Sequence, residues 1–129
     1  MPNNLNPFSV VEAFSEITEF WSPQVIAEVN DSYVKVAKLK GTFVWHKHDD
    51  EDELFWIIKG RLRIQFQDRE VELQPGDIFV VPRGEMHNPI ADDECHVVLF
   101  ERKSTQHTGD NVVQSTKSVA DQLKSFRGE

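Results

Sequence analysis

The stretch GTFVWHKHDDEDELFWIIKG, Gly41 to Gly60, sets two histidines one residue apart, adds five consecutive acids and then turns strongly apolar. Along a strand, residues two apart face the same side. His46 and His48 therefore project together, with Lys47 opposite. Asp49 to Asp52 fit a four-residue turn. Glu53 then opens a returning strand as the cross-strand neighbour of His48, with Cβ atoms roughly 4.5–5.5 Å apart. Two imidazoles and a carboxylate so placed can converge on one point, a recurrent donor set for a divalent metal. An H-x-H pair alone is more often a surface pair, and an acidic run alone is usually a solvated loop. A fourth donor from elsewhere shifts the balance, and GDIFVVPRGEMHNPIA offers one. There Gly76-Asp77 leads into a buried strand, Pro82-Arg83-Gly84 turns the chain, and His87 heads the next strand.

The two stretches resemble the two motifs of the cupin superfamily. The first reads G-x4-H-x-H-x4-E-x6-G over Gly41, His46, His48, Glu53 and Gly60. The second reads G-x5-P-x-G-x2-H over Gly76, Pro82, Gly84 and His87. The resemblance covers Val25 to Phe100 best. It departs from the usual pattern in having one residue fewer between Gly41 and His46, and Ala91 where asparagine usually ends the second motif. It implies that His46, His48, Glu53 and His87 bind one divalent metal inside a small β-barrel. Three imidazoles and a carboxylate suit Fe, Mn, Ni, Cu, Co or Zn. Calcium and magnesium prefer all-oxygen sites. No organic cofactor is expected. Of the five acids, only Glu53 clears the turn, and the other four are read as a solvated tip that adds negative potential at the mouth.

The elements that must carry these residues are short. Ser9 is placed to cap a helix over VVEAFSEITEFW, with Val10, Phe14, Ile17 and Trp21 on one face and Ser22-Pro23 as its stop. From Val25 the pattern becomes β: QVIAEV, YVKVAKL, FVWHKH, ELFWIIK, RLRIQF, EVEL, DIFVVP, NPIA and CHVVLFE. Turn signals between them include Asn30-Asp31-Ser32, Gln67-Asp68-Arg69 and a hairpin at Asp92-Asp93-Glu94. About nine strands with turns every eight to twelve residues indicate a sandwich or barrel. With the resemblance, the reading is all-β: a small antiparallel β-barrel or jelly roll with a short N-terminal helix. The expected organisation is an N-terminal segment at 1–22, the barrel at 23–103 and a polar C-terminal segment at 104–129. Met1 to Pro7 reads as loose, and Val119, Leu123 and Phe126 form a weak stripe for a docking helix or a tail. If the Asp92–Glu94 hairpin forms, Glu101 returns to the level of His87, and Lys103, Thr105 and His107 can lid the pocket.

The 129 residues fit one domain, and the formal net charge of −8 repels phosphate backbones and anionic lipid. Neither nucleic acid nor membrane is an expected partner. One cysteine, Cys95, cannot staple its own chain and reads as a small buried residue. A cytoplasmic protein is expected. The run LFWIIK is apolar on both faces, so the N-terminal helix or a second subunit must cover its outside, and a homodimer through Leu54, Trp56 and the helix stripe is expected. Phe55, Ile57 and Val44 share the parity of the donors and predict an apolar pocket. Arg83 is the nearest candidate for gripping an anion, with a solvent-facing turn residue as the bland alternative. His96 reads as a strand-face residue. Two functions stay open: a metal-dependent enzyme of dioxygenase or isomerase type acting on a small oxygenated metabolite, or a non-enzymatic module that binds or senses a small, sugar-like molecule.

Overall fold

The computed structural model describes residues 5–109 and 118–123. A helical turn α1 (Val10–Ala13) runs into a 3-10 turn at Phe14–Glu16. Seven strands follow: β1 (Gln24–Val29), β2 (Ser32–Thr42), β3 (Glu53–Lys59), β4 (Leu62–Phe66), β5 (Glu70–Leu73), β6 (Ile78–Val81) and β7 (His87–Arg102). A last helical turn, α2, covers Val119–Gln122. The strands pair in antiparallel fashion in the order β1-β2-β7-β3-β6, with β4 joined to both β5 and β7. The all-β fold with a short N-terminal helix is the one expected from the sequence. The sheet curls round its core, although the path of hydrogen bonds does not close into a ring among the described strands.

β7 organises the molecule. It pairs with β2 along nearly its whole length, Ser32 opposite Arg102 and Thr42 opposite Ile90. Its first half also pairs with β4, Phe66 opposite His87, and its second half with β3, Glu53 opposite Glu101. The expected hairpin at Asp92-Asp93-Glu94 is therefore absent. These residues instead form a bulge, where the register on β2 jumps from Leu39–Cys95 to Gly41–Ala91. A bulge bends and twists its strand, and this one curls the β2–β7 ribbon about the core. Two features hold it. Arg63 makes two 2.9 Å bonds to Asp92 and a third to Glu70. Gly60, at φ +78, lets Glu94 come so close that a Cβ there would lie 2.4 Å from its carbonyl oxygen.

Two clusters fill the two faces. Inside are Ala37, Leu39, Phe55, Ile57, Leu62, Ile64, Leu73, Val81, Val97 and Leu99, contributed by β2 to β7. Each fully buried aliphatic chain of this kind stabilises the fold by about 1.5–3 kcal/mol. Outside, Ala13, Phe14 and Ile17 pack on Ile26, Val36 and Val98. The doubly apolar β3 is thus explained in part: Ile58 lies under the helical segment, while Trp56 stays 40% exposed. The helix is shorter than the sequence pattern suggested. Ser9 caps it, but Ile17 is already extended at φ −88 and ψ 120. Trp21 is not on the helix face. It sits at φ 57, donates its backbone N–H to Lys38 and its Nε1–H to Lys40, and packs against the inner core.

Candidate metal centre

FVWHKH is not a strand. Apart from a bridge between His46 and His87, residues 43–48 are irregular. β3 has no free edge to offer them, because β6 and β7 occupy both sides. Glu53 is therefore not the cross-strand neighbour of His48; its partners are Val81 and Glu101. The donors meet by another route. His46 and His87 exchange backbone N–H···O=C bonds, both 2.9 Å. Gly84, in the Pro82–Gly84 turn, donates its N–H to the His48 carbonyl at 2.7 Å. The second motif thus clamps the first.

His46, His48, Glu53 and His87 are all buried, and their ligating atoms lie within 4.8 Å of one another. Glu53 Oε1 is 3.4 Å from His48 Nε2 and 3.8 Å from His87 Nε2. Among the described residues these three atoms have no hydrogen-bond partner, a rare state for buried polar groups that calls for an explanation. The opposite ring edges are tied down: His46 Nδ1 lies 2.8 Å from the Val44 carbonyl, and His87 Nδ1 2.9 Å from that of Glu85. A carbonyl only accepts, so Nδ1 carries a proton in both rings, which leaves Nε2 as the atom available to the centre. The residues present fit a divalent transition metal: three imidazoles and a carboxylate, with three ligating atoms unpartnered among the described residues.

The electrostatics agree. Burial, aided by the neighbouring His87, lowers the pKa of His46 to about 4, so its ring is neutral. Burial also acts to lower His48, but Glu53 overrides it and the pKa is raised. Burial works against the Glu53 charge, yet His48 and His87 hold its carboxyl well below the usual range. Directly opposite, Glu101 is pushed well above that range by burial and by the Glu53 charge. Behind Glu101 lies Lys35, fully buried, with Nζ 2.8 Å from Glu101 Oε1. Sequence reading missed Lys35. In YVKVAKL the alternation suggests valines inward and lysine outward, but the helical segment covers the valine face and Lys35 points inside.

An apolar cavity opens beside His46 and Glu53, walled by Trp21, Phe43, Phe55 and Leu99 among others, with about 360 Å³ of empty space counting its mouth. Val44 and Ile57 do not line it. Trp21 stacks on Phe43 at 4.5 Å and Phe43 on His107 at 5.8 Å. The segment after β7 does reach this end of the sheet: Thr105, His107 and Thr108 are buried, and His107 lines the cavity. It arrives through the curl of β7 rather than through a hairpin. The acidic stretch is not simply solvated. Asp52 accepts the Arg83 N–H at 2.9 Å, Glu51 accepts from Ser104 Oγ at 3.2 Å, and Asp49 pairs with Lys47 at 3.2 Å. Arg83 is exposed, held by Asp52, and does not line the cavity. His96 stacks on Phe14 at 4.7 Å and pairs with Glu94. Cys95 is buried, its thiol pushed up to about 12 by burial. Leu123 of the expected C-terminal stripe is 37% exposed, α2 contacts β1, and Phe126 lies outside the described residues, as do Met1 to Asn4.

Comparison with known proteins agrees with this arrangement. The Bacillus subtilis (strain 168) protein YdbB is 39% identical over 74 residues, or 57% of this chain and 66% of that protein, just under two thirds of it. A cupin-2 domain containing protein from Shewanella frigidimarina superposes with a TM-score of 0.72 at 42% identity, over 74% of this chain and 93% of its own. Protein NMB1881 from Neisseria meningitidis gives 0.70 at 24% identity, over 75% and 99%, and shows likeness of fold alone. Residues 32–101 match the Cupin domain family across both histidine motifs, and on that match this chain belongs to the cupin family.

Proposed function

We propose that His46, His48, Glu53 and His87 hold one divalent transition metal, and that the protein is a small metal-dependent cupin enzyme of dioxygenase or isomerase type. One observation carries the reading: four buried donors with ligating atoms within 4.8 Å, three of them without a hydrogen-bond partner among the described residues. A bound metal would supply Lewis-acid or redox chemistry toward a small oxygenated molecule. The chain's own residues supply the rest. Trp21, Phe43, Phe55 and Leu99 exclude water from the side where His46 and Glu53 face the cavity. The backbone carbonyls of Val44 and Glu85 hold two rings in the metal-binding tautomer.

The test is metal content by plasma mass spectrometry on untagged protein beside a His46→Ala/His87→Ala double variant. Near-stoichiometric metal that vanishes in the variant is expected. No metal in the wild type after reconstitution with each candidate ion would sink the reading. The second reading, a binding or sensing module, draws on the apolar lining of the cavity, in which His46, Glu53 and His107 are the ionisable residues. Tight binding of a metabolite without turnover would favour it. We also propose a homodimer. Leu54, Trp56, Ile78, Val80 and Phe100 line the outer face beside the edge strand β6, and all but Leu54 are exposed, a continuous apolar strip that a second copy can cover.

A further inference from the structure

Behind the four donors the structure buries a second set of charges that metal ligation does not account for. Lys35 is the largest fully buried side chain in the molecule's described part. Its Nζ lies 2.8 Å from Glu101 Oε1 and 3.5 Å from the Thr105 carbonyl oxygen. Glu101 is itself buried and stands directly opposite Glu53 across the β3–β7 ladder. Among the described residues neither of its carboxyl oxygens has a hydrogen-bond partner, the Lys35 contact being an ion pair. Two carboxyl groups directly opposed on one buried sheet face oppose each other's ionisation, an arrangement that costs stability. For stability alone, an apolar pair of similar volume at positions 35 and 101 would serve as well or better. The charges therefore point toward the donor cluster rather than toward the fold.

We propose that Lys35, acting through Glu101, is a positioning residue for Glu53. The ammonium holds the Glu101 side chain, Glu101 standing opposite limits the positions open to the Glu53 carboxylate, and the three together set the charge that an incoming divalent cation meets. This rests on reading the cluster as a metal centre. It adds two residues that neither histidine motif contains.

The experiment uses the full chain and Co(II) as the probe. Affinity is read by competition with a chelator, and the visible absorption bands of bound Co(II) report donor geometry. The variants are Lys35→Met, Glu101→Leu and the double variant. Each single change leaves a buried ionisable side chain without its partner and is expected to lower the melting temperature. The double variant, apolar at both positions, is expected to recover most of that loss. Its Co(II) affinity is nonetheless expected to fall about 10–100-fold, the range for losing an outer partner of a metal ligand, and its bands to shift. A stable double variant with wild-type affinity and spectrum would overturn the inference, because the pair would then serve packing only. Should the double variant fail to fold, Glu101→Gln, which keeps the side chain's shape, decides in the same way: weaker binding with shifted bands supports the role, and unchanged binding overturns it. A wild-type protein that takes up no Co(II) would overturn the metal-centre reading and this inference with it, a result distinct from either variant outcome.

Discussion

At the scale of single residues, the candidate centre is a set of imidazoles whose protonation is arranged before any ion arrives. His46 needs no deprotonation, since its pKa lies near 4 in this environment. His48 differs, because Glu53 raises its pKa above the ordinary value in spite of burial. Without metal, its ring takes up a proton as the pH falls through that raised value, and this proton competes directly with a cation. Metal affinity is therefore expected to rise as pH rises through that raised value and to weaken below it, measured by chelator competition. The metal-free fold has the opposite dependence on His48. Its contribution is full below the unfolded-state value and is lost as pH rises through the raised folded value. A metal affinity independent of pH through the raised value would remove His48 from the donor set.

At the scale of elements, β7 and the segment after it decide the geometry. One end of the strand supplies His87 and the other Glu101, and the bulge at Asp92–Glu94 curls the ribbon so that both reach Glu53. The chain then continues over the site. Gly109, at φ +58, is wedged so closely that a Cβ would lie 2.2 Å from the Lys47 carbonyl oxygen and 2.9 Å from His46 Cδ2. Gly109→Ala is expected to expel the 104–109 segment or displace the His46 ring. A loss of about 1–3 kcal/mol in stability and weaker metal binding should accompany it, read by thermal melts and by chelator competition. Stability loss with unaltered metal binding would show that the segment packs on the site without shaping it.

At the scale of the whole molecule, two features have measurable consequences. Ligand binding to the folded state alone stabilises it by mass action. A metal at about a hundred times its dissociation constant adds about 2.7 kcal/mol, roughly 10 °C for a chain of this size. Thorough chelation is expected to lower the melting temperature by that order, and re-addition of the ion to restore it. The second feature is the exposed strip on β3, β6 and β7, where Ile78 is 59% and Trp56 40% exposed. Trp56→Glu is expected to convert a dimer to a folded monomer in light scattering. A wild-type monomer would mean that the strip stays open in solution.

The sequence by itself carried the all-β class, the spacing of the donor residues and the burial of Cys95. Each depends on local information: side-chain parity, turn residues and motif intervals. It also placed His107 near the mouth, though through a hairpin that does not form. What it misassigned depends on which edges and faces are already taken. FVWHKH has strand composition, but no free edge of β3 remains for it. Asp92–Glu94 has turn composition, but Arg63 and the close approach at Gly60 hold it as a bulge in a continuous strand. Trp21 continues a helical stripe, but its two hydrogen bonds to β2 draw it into the cavity wall. Lys35 shows the limit most clearly. Alternation fixes that it lies opposite Val34 and Val36, but not which face is the interior. Only the tertiary packing decides that, by laying the helical segment over the valines and leaving the ammonium to pair with Glu101 behind the donors.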